Sequence, residues 1–531
     1  MVFVPRRRRR VKDVNRRHLA MALVAVAVVL LVAVYYAKIV APPGRPAEVA
    51  PADSRDYFTT VHGLLAGAER SIDVVLYQSR FYFEYPLSAS NTLIADLVDA
   101  GERGVKVRAV IEIADWNYDN SEDNRDVWTV LRGAGVETYF DPVETTSHTK
   151  LVIVDGRYTV VGSTNWSYYA LDRNNEATVV VDSDGIAGEF TAYFDGIVAA
   201  SSRDYALPVE YLPASGVSTD KRQRIFLADV ADSGRMVPAE KVGWIYCGGV
   251  AVRVDEDALS EILAVDSLFF DGVAGDSVRV YGEVHPDRKG EVHALDVESA
   301  ASTVAMAAAF QAERRQLKAR AAAAAAGESG SGAKAGSAKG GSGKGALPWV
   351  RAARVVPIPN RAYAAEVQRL VAAAGERIWI AMLDARYYDK YPGPPEAAAA
   401  RPKGAPPSLT NLILAGLEAA AHRGVDVRLV IDAGREGKMP AGKTAFIQRL
   451  REAGGTVVED DPEVTTHAKL MIVDDYFTVV GSTNWSQPAV EENNETAVVI
   501  DSPEINRHYA QFIARAGRFA AQPAAETGGS R

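Results

Sequence analysis

The sequence predicts an α/β protein: two homologous α/β sandwich units facing each other across a pseudo-two-fold axis, with a small β-rich insert between them. Three observations carry this prediction. The stretch from His148 to Ser167 returns from His467 to Ser486 with 15 of 20 residues identical at an offset of 319. Matched segments precede it in both copies, and each copy reads strand, helix, strand, helix, strand. The residues between the copies change character, to short Val/Ile/Tyr/Phe alternations broken by Gly, Asp and Pro.

The elements follow in order. The apolar strand and aromatic-rich loop of 66–86 are matched by 373–392. Residues 91–112 and 410–432 each place apolar side chains at helical spacing, stop at a Gly, and resume as an alternating strand. "DVWTVLRGAGVETYF" and "AFIQRLREAGGTVVED" give another helix, Gly and strand. This alternation predicts a largely parallel sheet. Each copy closes with "NNEATVVVDS" or "NNETAVVIDS", which bounds the units at 53–205 and 350–520. Residues 222–300 read as an antiparallel β domain, either a spacer or a binding module, and a barrel is one form it could take. Residues 301–349 read as an Ala-rich helix followed by a Gly/Ser/Lys linker.

The N-terminus differs from everything after it. Positions 1–18 carry eight basic residues against Asp13, a net +7, so the remainder of a chain of net −9 carries −16. A body that acidic argues against a polyanionic partner. Residues 19–37 then run 19 positions without a charge, enough to cross a bilayer core. The expectation is a cytoplasmic basic tail, a transmembrane anchor at 19–37, a Pro-rich stalk at 38–52 and an extracytoplasmic body. Secretion after signal cleavage is the alternative. The single cysteine, Cys247, excludes an intrachain disulfide and any cysteine-based metal cluster.

The repeated stretch carries the chemistry. "HTKLVIV" alternates as a strand, which puts His148 and Lys150 on one face. Asp155-Gly156 signals a hairpin turn, and Ser163 and Asn165 share a face of the returning strand. The second copy supplies His467, Lys469, Ser482 and Asn484. Imidazole, ammonium, hydroxyl and amide with no carboxylate cage suit a phosphoryl group, with no metal and no cofactor expected. Displacement at phosphorus needs one group to attack and another to protonate the leaving oxygen, so one site should draw a His from each unit. Glu176 and Glu495, each 11 residues past the motif Asn, are the candidates to orient the imidazoles.

His148-x-Lys150-x4-Asp155-x6-Gly162-Ser163-x-Asn165 and its second copy from His467 to Asn484 resemble the doubled HKD motif of the phospholipase D superfamily. The resemblance covers both units. It implies a metal-independent phosphodiesterase with a phosphohistidine intermediate, one His as nucleophile and the other as general acid and then base, with His148 the favoured nucleophile. Asp155 and Asp474 match the motif Asp but fall at the turn, where support is the expected role. Trp166 and Trp485 are expected in the core or a pocket wall. The resemblance leaves the substrate open. A membrane phospholipid hydrolysed at its head group is the first expectation, for a chain active as a monomer. Nucleic acid cleaved by a nuclease, or phosphatidyl transfer of the cardiolipin synthase kind, are the alternatives. A non-catalytic scaffold would show decay in one motif, and neither copy does.

Overall fold

The computed structural model describes residues 44–203 apart from 83, 84, 86 and 115, five strands between 223 and 299, and residues 347–388, 408–434 and 439–519. The expected basic tail and anchor, and the helix and linker of 301–346, lie outside the described residues.

The first unit runs β1 (Arg45–Pro51), α1 (Asp56–Ala66), β2 (Ser71–Leu76), α2 (Ala89–Glu102), β3 (Lys106–Ile111), α3 (Tyr118–Gly133), β4 (Glu137–Phe140), β5 (Lys150–Val154), β6 (Tyr158–Gly162), β7 (Thr178–Asp182) and α4 (Asp184–Ala200). Five strands follow: β8 (Gln223–Asp232), β9 (Val242–Cys247), β10 (Val250–Asp255), β11 (Ser277–Val284) and β12 (Glu291–Ser299). They close into a barrel of order β10-β12-β11-β8-β9 in which only β10 and β12 run parallel. The second unit repeats the first as β13 (Val350–Pro357), α5 (Ala362–Ala373), β14 (Arg377–Met382), α6 (Leu409–His422), β15 (Asp426–Ile431), α7 (Ala441–Glu452), β16 (Thr456–Glu459), β17 (Lys469–Val473), β18 (Phe477–Gly481), β19 (Ala497–Asp501) and α8 (Pro503–Ala516).

The units share one sheet of 14 strands, ordered β16-β15-β14-β17-β18-β19-β13-β1-β7-β6-β5-β2-β3-β4. Its two halves meet where β1 pairs antiparallel with β13. Helices α4 and α8 cover the middle of one face, and their Phe190, Phe194, Tyr509 and Phe512 enter a core with Val75, Leu151, Trp379 and Leu470 from both units. The remaining helices of each unit pack on separate cores. Ser183 and Ser502 cap α4 and α8 by accepting from the N–H of Ile186 and Ile505, which stops the preceding strand and starts the helix at equivalent places.

Two expectations are corrected. The sheet is mixed rather than largely parallel: within it only β2-β3-β4 and β14-β15-β16 pair in parallel. The Asp155-Gly156 turn explains why. Both residues have positive φ, 57° and 58°, so the chain reverses within three residues and β6 must run against β5. The stalk expected at 38–52 does not extend over 45–51, which is a central strand bonded to β7 and β13. Its prolines are tolerated by position. Pro46 falls at the register shift between Arg45 and Ala47, and Pro51 ends the strand.

Candidate active site

His148 and His467 immediately precede β5 and β17, where the two units touch. Backbone bonds lock this junction from both sides. Asn494 donates its N–H to the Thr146 carbonyl at 2.9 Å, and His467 donates to the Asn175 carbonyl at 3.0 Å. Each bond ties the segment before one unit's His to the "NNE" segment of the other.

That lacing crosses the carboxylates over. His148 Nδ1 lies 3.0 Å from Glu495 Oε1, and His467 Nδ1 lies 2.9 Å from Glu176 Oε2. Each imidazole is thus oriented by the glutamate of the other unit, through Nδ1, which leaves Nε2 for chemistry. Ser163 donates to Glu176 and Ser482 to Glu495, and Asn174 Nδ2 adds a bond to Glu176 at 3.1 Å. The glutamates are fully buried, so these bonds fix the carboxylates before they fix the rings. The motif glycine permits this closeness. A Cβ on Gly162 would sit 2.5 Å from the Ala177 carbonyl, and one on Gly481 2.3 Å from that of Thr496.

Lys150 and Lys469 are buried, and each Nζ donates to the carbonyl of its own motif His at 2.6 Å. Asn165 donates to Gln78 Oε1 at 3.3 Å, while the side-chain carbonyls of Asn165 and Asn484 have no hydrogen-bond partner among the described residues. The motif aspartates stand apart as supports. Asp155 Oδ1 accepts from the N–H of Glu69, Arg70 and Ser71, and Asp474 Oδ1 from those of Gly375, Glu376 and Arg377. They brace the entry to β2 and β14. Trp166 and Trp485 are core residues whose Nε1 donates at 2.9 Å to the hydroxyls of Tyr57 and Tyr363.

The electrostatics are less symmetric than the geometry. Burial, with the charges of Lys150 and Lys469, drives His148 well below its ordinary value. Burial lowers His467 as well, but the Glu176 charge opposes it. Glu495 is pushed up to about 7 by burial against the pull of Lys150. Burial also works to raise Glu176, but the charge and hydrogen bond of His467, with Lys469 and Ser163, outweigh it and leave that carboxyl below its ordinary value. Burial brings Lys469 down to about 8. One neighbour differs between the copies. Tyr77 meets His148 edge-on at 4.4 Å and lies 4.3 Å from Lys150 Nζ, whereas Leu383 holds the equivalent place in the second unit.

Sequence reasoning passed over Tyr77 and the buried pair Asp141 and Asp460. Asp141 accepts from the N–H of Ile113 and Ser147, both at 2.8 Å. Asp460 accepts from Ala433 and Thr466. Each sets the segment that presents the following His. Their signal was a recurrence seven residues before each motif His, at the same offset of 319.

Two cavities open on the site. One of about 970 Å³ is lined by His148 and Asn484, the other of about 1030 Å³ by His467 and Asn165. The pseudo-two-fold exchanges them: each combines a His segment of one unit with the Asn loop of the other.

A family model described as "Cardiolipin synthase, PLD-like domain" matches residues 62–198 and 406–516. Cardiolipin synthase A of Edwardsiella ictaluri is 31% identical over 114 residues, which are 21% of this chain and 23% of that protein. The mitochondrial cardiolipin hydrolase of Chlamydomonas reinhardtii is 26% identical over 132 residues, 25% of this chain and 52% of that one. The match thus spans about a quarter of the synthase's length and about half of the hydrolase's. Among solved structures, phosphatidylserine synthase of Haemophilus influenzae aligns with 89% of this chain and 88% of its own at 10% identity and a TM-score of 0.46.

Proposed function

This chain belongs to the phospholipase D superfamily, and from that premise we propose that it is a membrane-anchored enzyme that moves the phosphatidyl group of a phospholipid to an alcohol through a phosphohistidine. The observation that carries the chemistry is the crossed pairing of His148 with Glu495 and His467 with Glu176. Two imidazoles, each steadied through Nδ1 from the opposite unit, are what a double displacement at phosphorus needs.

The lower affinity of His148 for protons favours it as nucleophile, and the ionised Glu176 beside His467 favours that ring as the acid. His148 Nε2 attacks phosphorus, the bond from phosphorus to the head-group oxygen breaks, and His467 gives that oxygen a proton. An acceptor hydroxyl then returns a proton to His467 and attacks phosphorus, and the phosphorus–nitrogen bond breaks with its electron pair returning to His148. Lys150, Lys469, Asn165 and Asn484 hold the non-bridging oxygens. Water as acceptor would give the hydrolysis expected first from sequence. The synthase named in the family description and among the relatives supports transfer ahead of it.

The reading includes the anchor at 19–37, with the body outside the cytoplasm and active as a monomer; among the described residues no helix is long and apolar enough to cross a membrane. One observation favours a second reading, cleavage of nucleic acid: the five-stranded barrel between the units is of a kind used to bind oligonucleotides. Full-length protein in vesicles of phosphatidylglycerol and phosphatidylcholine, given ethanol, should form phosphatidylethanol. Head-group release without it would restore hydrolysis, and cleavage of single-stranded DNA with no lipid turnover would replace both lipid readings.

A further inference from the structure

Among the described residues six large hydrophobic side chains are exposed, and four of them gather at one place. Tyr85, Leu87, Tyr168 and Tyr169, 63%, 75%, 41% and 52% exposed, line the cavity that leads to His467 and Asn165. Tyr168 and Tyr169 stack edge to face at 5.4 Å, and Arg173 reaches over Tyr168 with Nε 2.9 Å from its hydroxyl. Arg80, Asp123 and Asp172 line the same cavity, with the half-exposed Arg80 3.3 Å from Asp123. An apolar tip, aromatic rings with wet hydroxyls and outward guanidinium groups are the composition of a surface that sits at the level of lipid head groups.

The pseudo-two-fold supplies the control. The loop from Ser167 to Glu176 corresponds to that from Ser486 to Glu495 at the same offset of 319. There Gln487 stands for Tyr168, Pro488 for Tyr169 and Glu492 for Arg173. The cavity at this second loop is rimmed by Glu492 and Asp384 of the second unit, the latter paired to Arg386 at 2.7 Å, and by Glu144 and the exposed Trp116 of the first. The catalytic groups are alike in both halves, so the rims have diverged for a reason other than the reaction.

We propose that the rim formed by Tyr85, Leu87, Tyr168, Tyr169 and Arg173 is a docking surface for the face of a phospholipid bilayer, and that the opposite rim, with Glu492, Asp384 and Glu144, is turned away from it. This rests on the lipid reading above. Two further arguments select a bilayer. A nucleic acid cut within its length must run through both halves, and the acidic half repels a polyanion. A lipid donor needs only one. The reach of the chain agrees as well. With β1 beginning at Arg45, seven residues separate it from the apolar run ending at Ala37, about 25 Å when extended, so an anchored body cannot leave the surface.

The test uses the full chain with Cys247→Ser, reconstituted in vesicles containing phosphatidylglycerol, with an environment-sensitive fluorophore on Tyr169→Cys or on its counterpart Pro488→Cys. The label at 169 should shift to the blue and be quenched by brominated lipids, and the label at 488 should do neither. Equal behaviour at the two positions would overturn the proposal. In parallel, Tyr168→Ser/Tyr169→Ser should lower turnover of vesicle lipid relative to dispersed short-chain lipid about tenfold. An unchanged ratio in an enzyme that turns over both lipids refutes the docking surface alone. Turnover of neither lipid, with cleavage of single-stranded oligonucleotide that the double variant weakens, refutes the lipid reading and assigns the rim to nucleic acid.

Discussion

The two units hold the same reactive groups in the same order, yet neither could use them alone. Each contributes a His that lacks a carboxylate of its own and a Glu that serves the other unit's ring. Around this shared centre the copies differ. The first has Tyr77 against His148 and Tyr168, Tyr169 and Arg173 in the loop after its Asn, and the second has Leu383, Gln487, Pro488 and Glu492 in their places. The contrast separates what the chemistry demands of both copies from what each copy was free to change.

The strongest test removes the shared part. His148→Ala and His467→Ala should each lower kcat by about 10⁴-fold or more, with the double variant little worse, because groups acting as a unit are not additive. Substantial activity in either single variant, in a phosphatidylethanol assay, would show that the units work separately.

Next come the carboxylates, where the crossing itself is at stake. Glu176→Gln and Glu495→Gln should each cost about 10²- to 10³-fold, and by different routes. With His467 as acid and base, Glu176→Gln should slow resolution of the phosphohistidine, so that it accumulates in rapid-quench labelling. Glu495→Gln should slow its formation. The reverse pattern would exchange the two histidines' roles.

The pH profile sharpens the same asymmetry. Burial brings Lys469 down to about 8 and, with the charge of Lys469, Lys150 well below its ordinary value, so the cationic hold on phosphate weakens as pH rises through 8. A fall in kcat/KM centred there is expected for the free enzyme. On the acid side His148 itself stays neutral to well below its ordinary value. Glu495, pushed up to about 7 by burial, takes a proton as pH falls through that value and loses its hold on the His148 ring, so the acid limb should fall near pH 7. An alkaline limb near 10 would contradict the burial of Lys469. Tyr77→Leu, which makes the first unit resemble the second, should cost only about tenfold in kcat.

The smallest effect on catalysis is expected at the motif aspartates. Asp155→Ala removes an acceptor of three backbone N–H groups and should cost about 2 kcal/mol of stability, seen as a lower Tm. Turnover at low temperature should stay within a few-fold.

Much of this site was legible because duplication marked it. A residue type that recurs 319 positions later, among apolar neighbours that vary, stands out, and His148, Lys150, Asn165 and Glu176 were found that way with their partners. The crossing was not legible. Glu176 lies 28 residues from His148 and 291 from His467, and nothing in the chain says that the more distant ring is the one it meets. Strand β1 is hidden in the sequence for a local reason. Pro46 and Pro51 signal a linker in "RPAEVAP", and only the bulge at one and the strand end at the other make them compatible with a central strand. Sheet direction is masked by the strand–helix alternation, which points to parallel pairing, while the hairpin at Asp155 sets the antiparallel run that follows.

The β1–β13 seam also fixes how the protein depends on its own concentration. The two strands are equivalent, and they meet antiparallel, Ala47 opposite Ala352 and Val49 opposite Val350, as a strand can meet its own copy. A half-chain cut free between the units would bare that edge and leave its His without a carboxylate. It could recover both only by finding another half, so its activity would climb with dilution reversed and vanish when scarce. Joining the halves in one chain makes the encounter internal, at the effective concentration set by the intervening segment. An enzyme held sparsely on a membrane would then be complete as a single molecule.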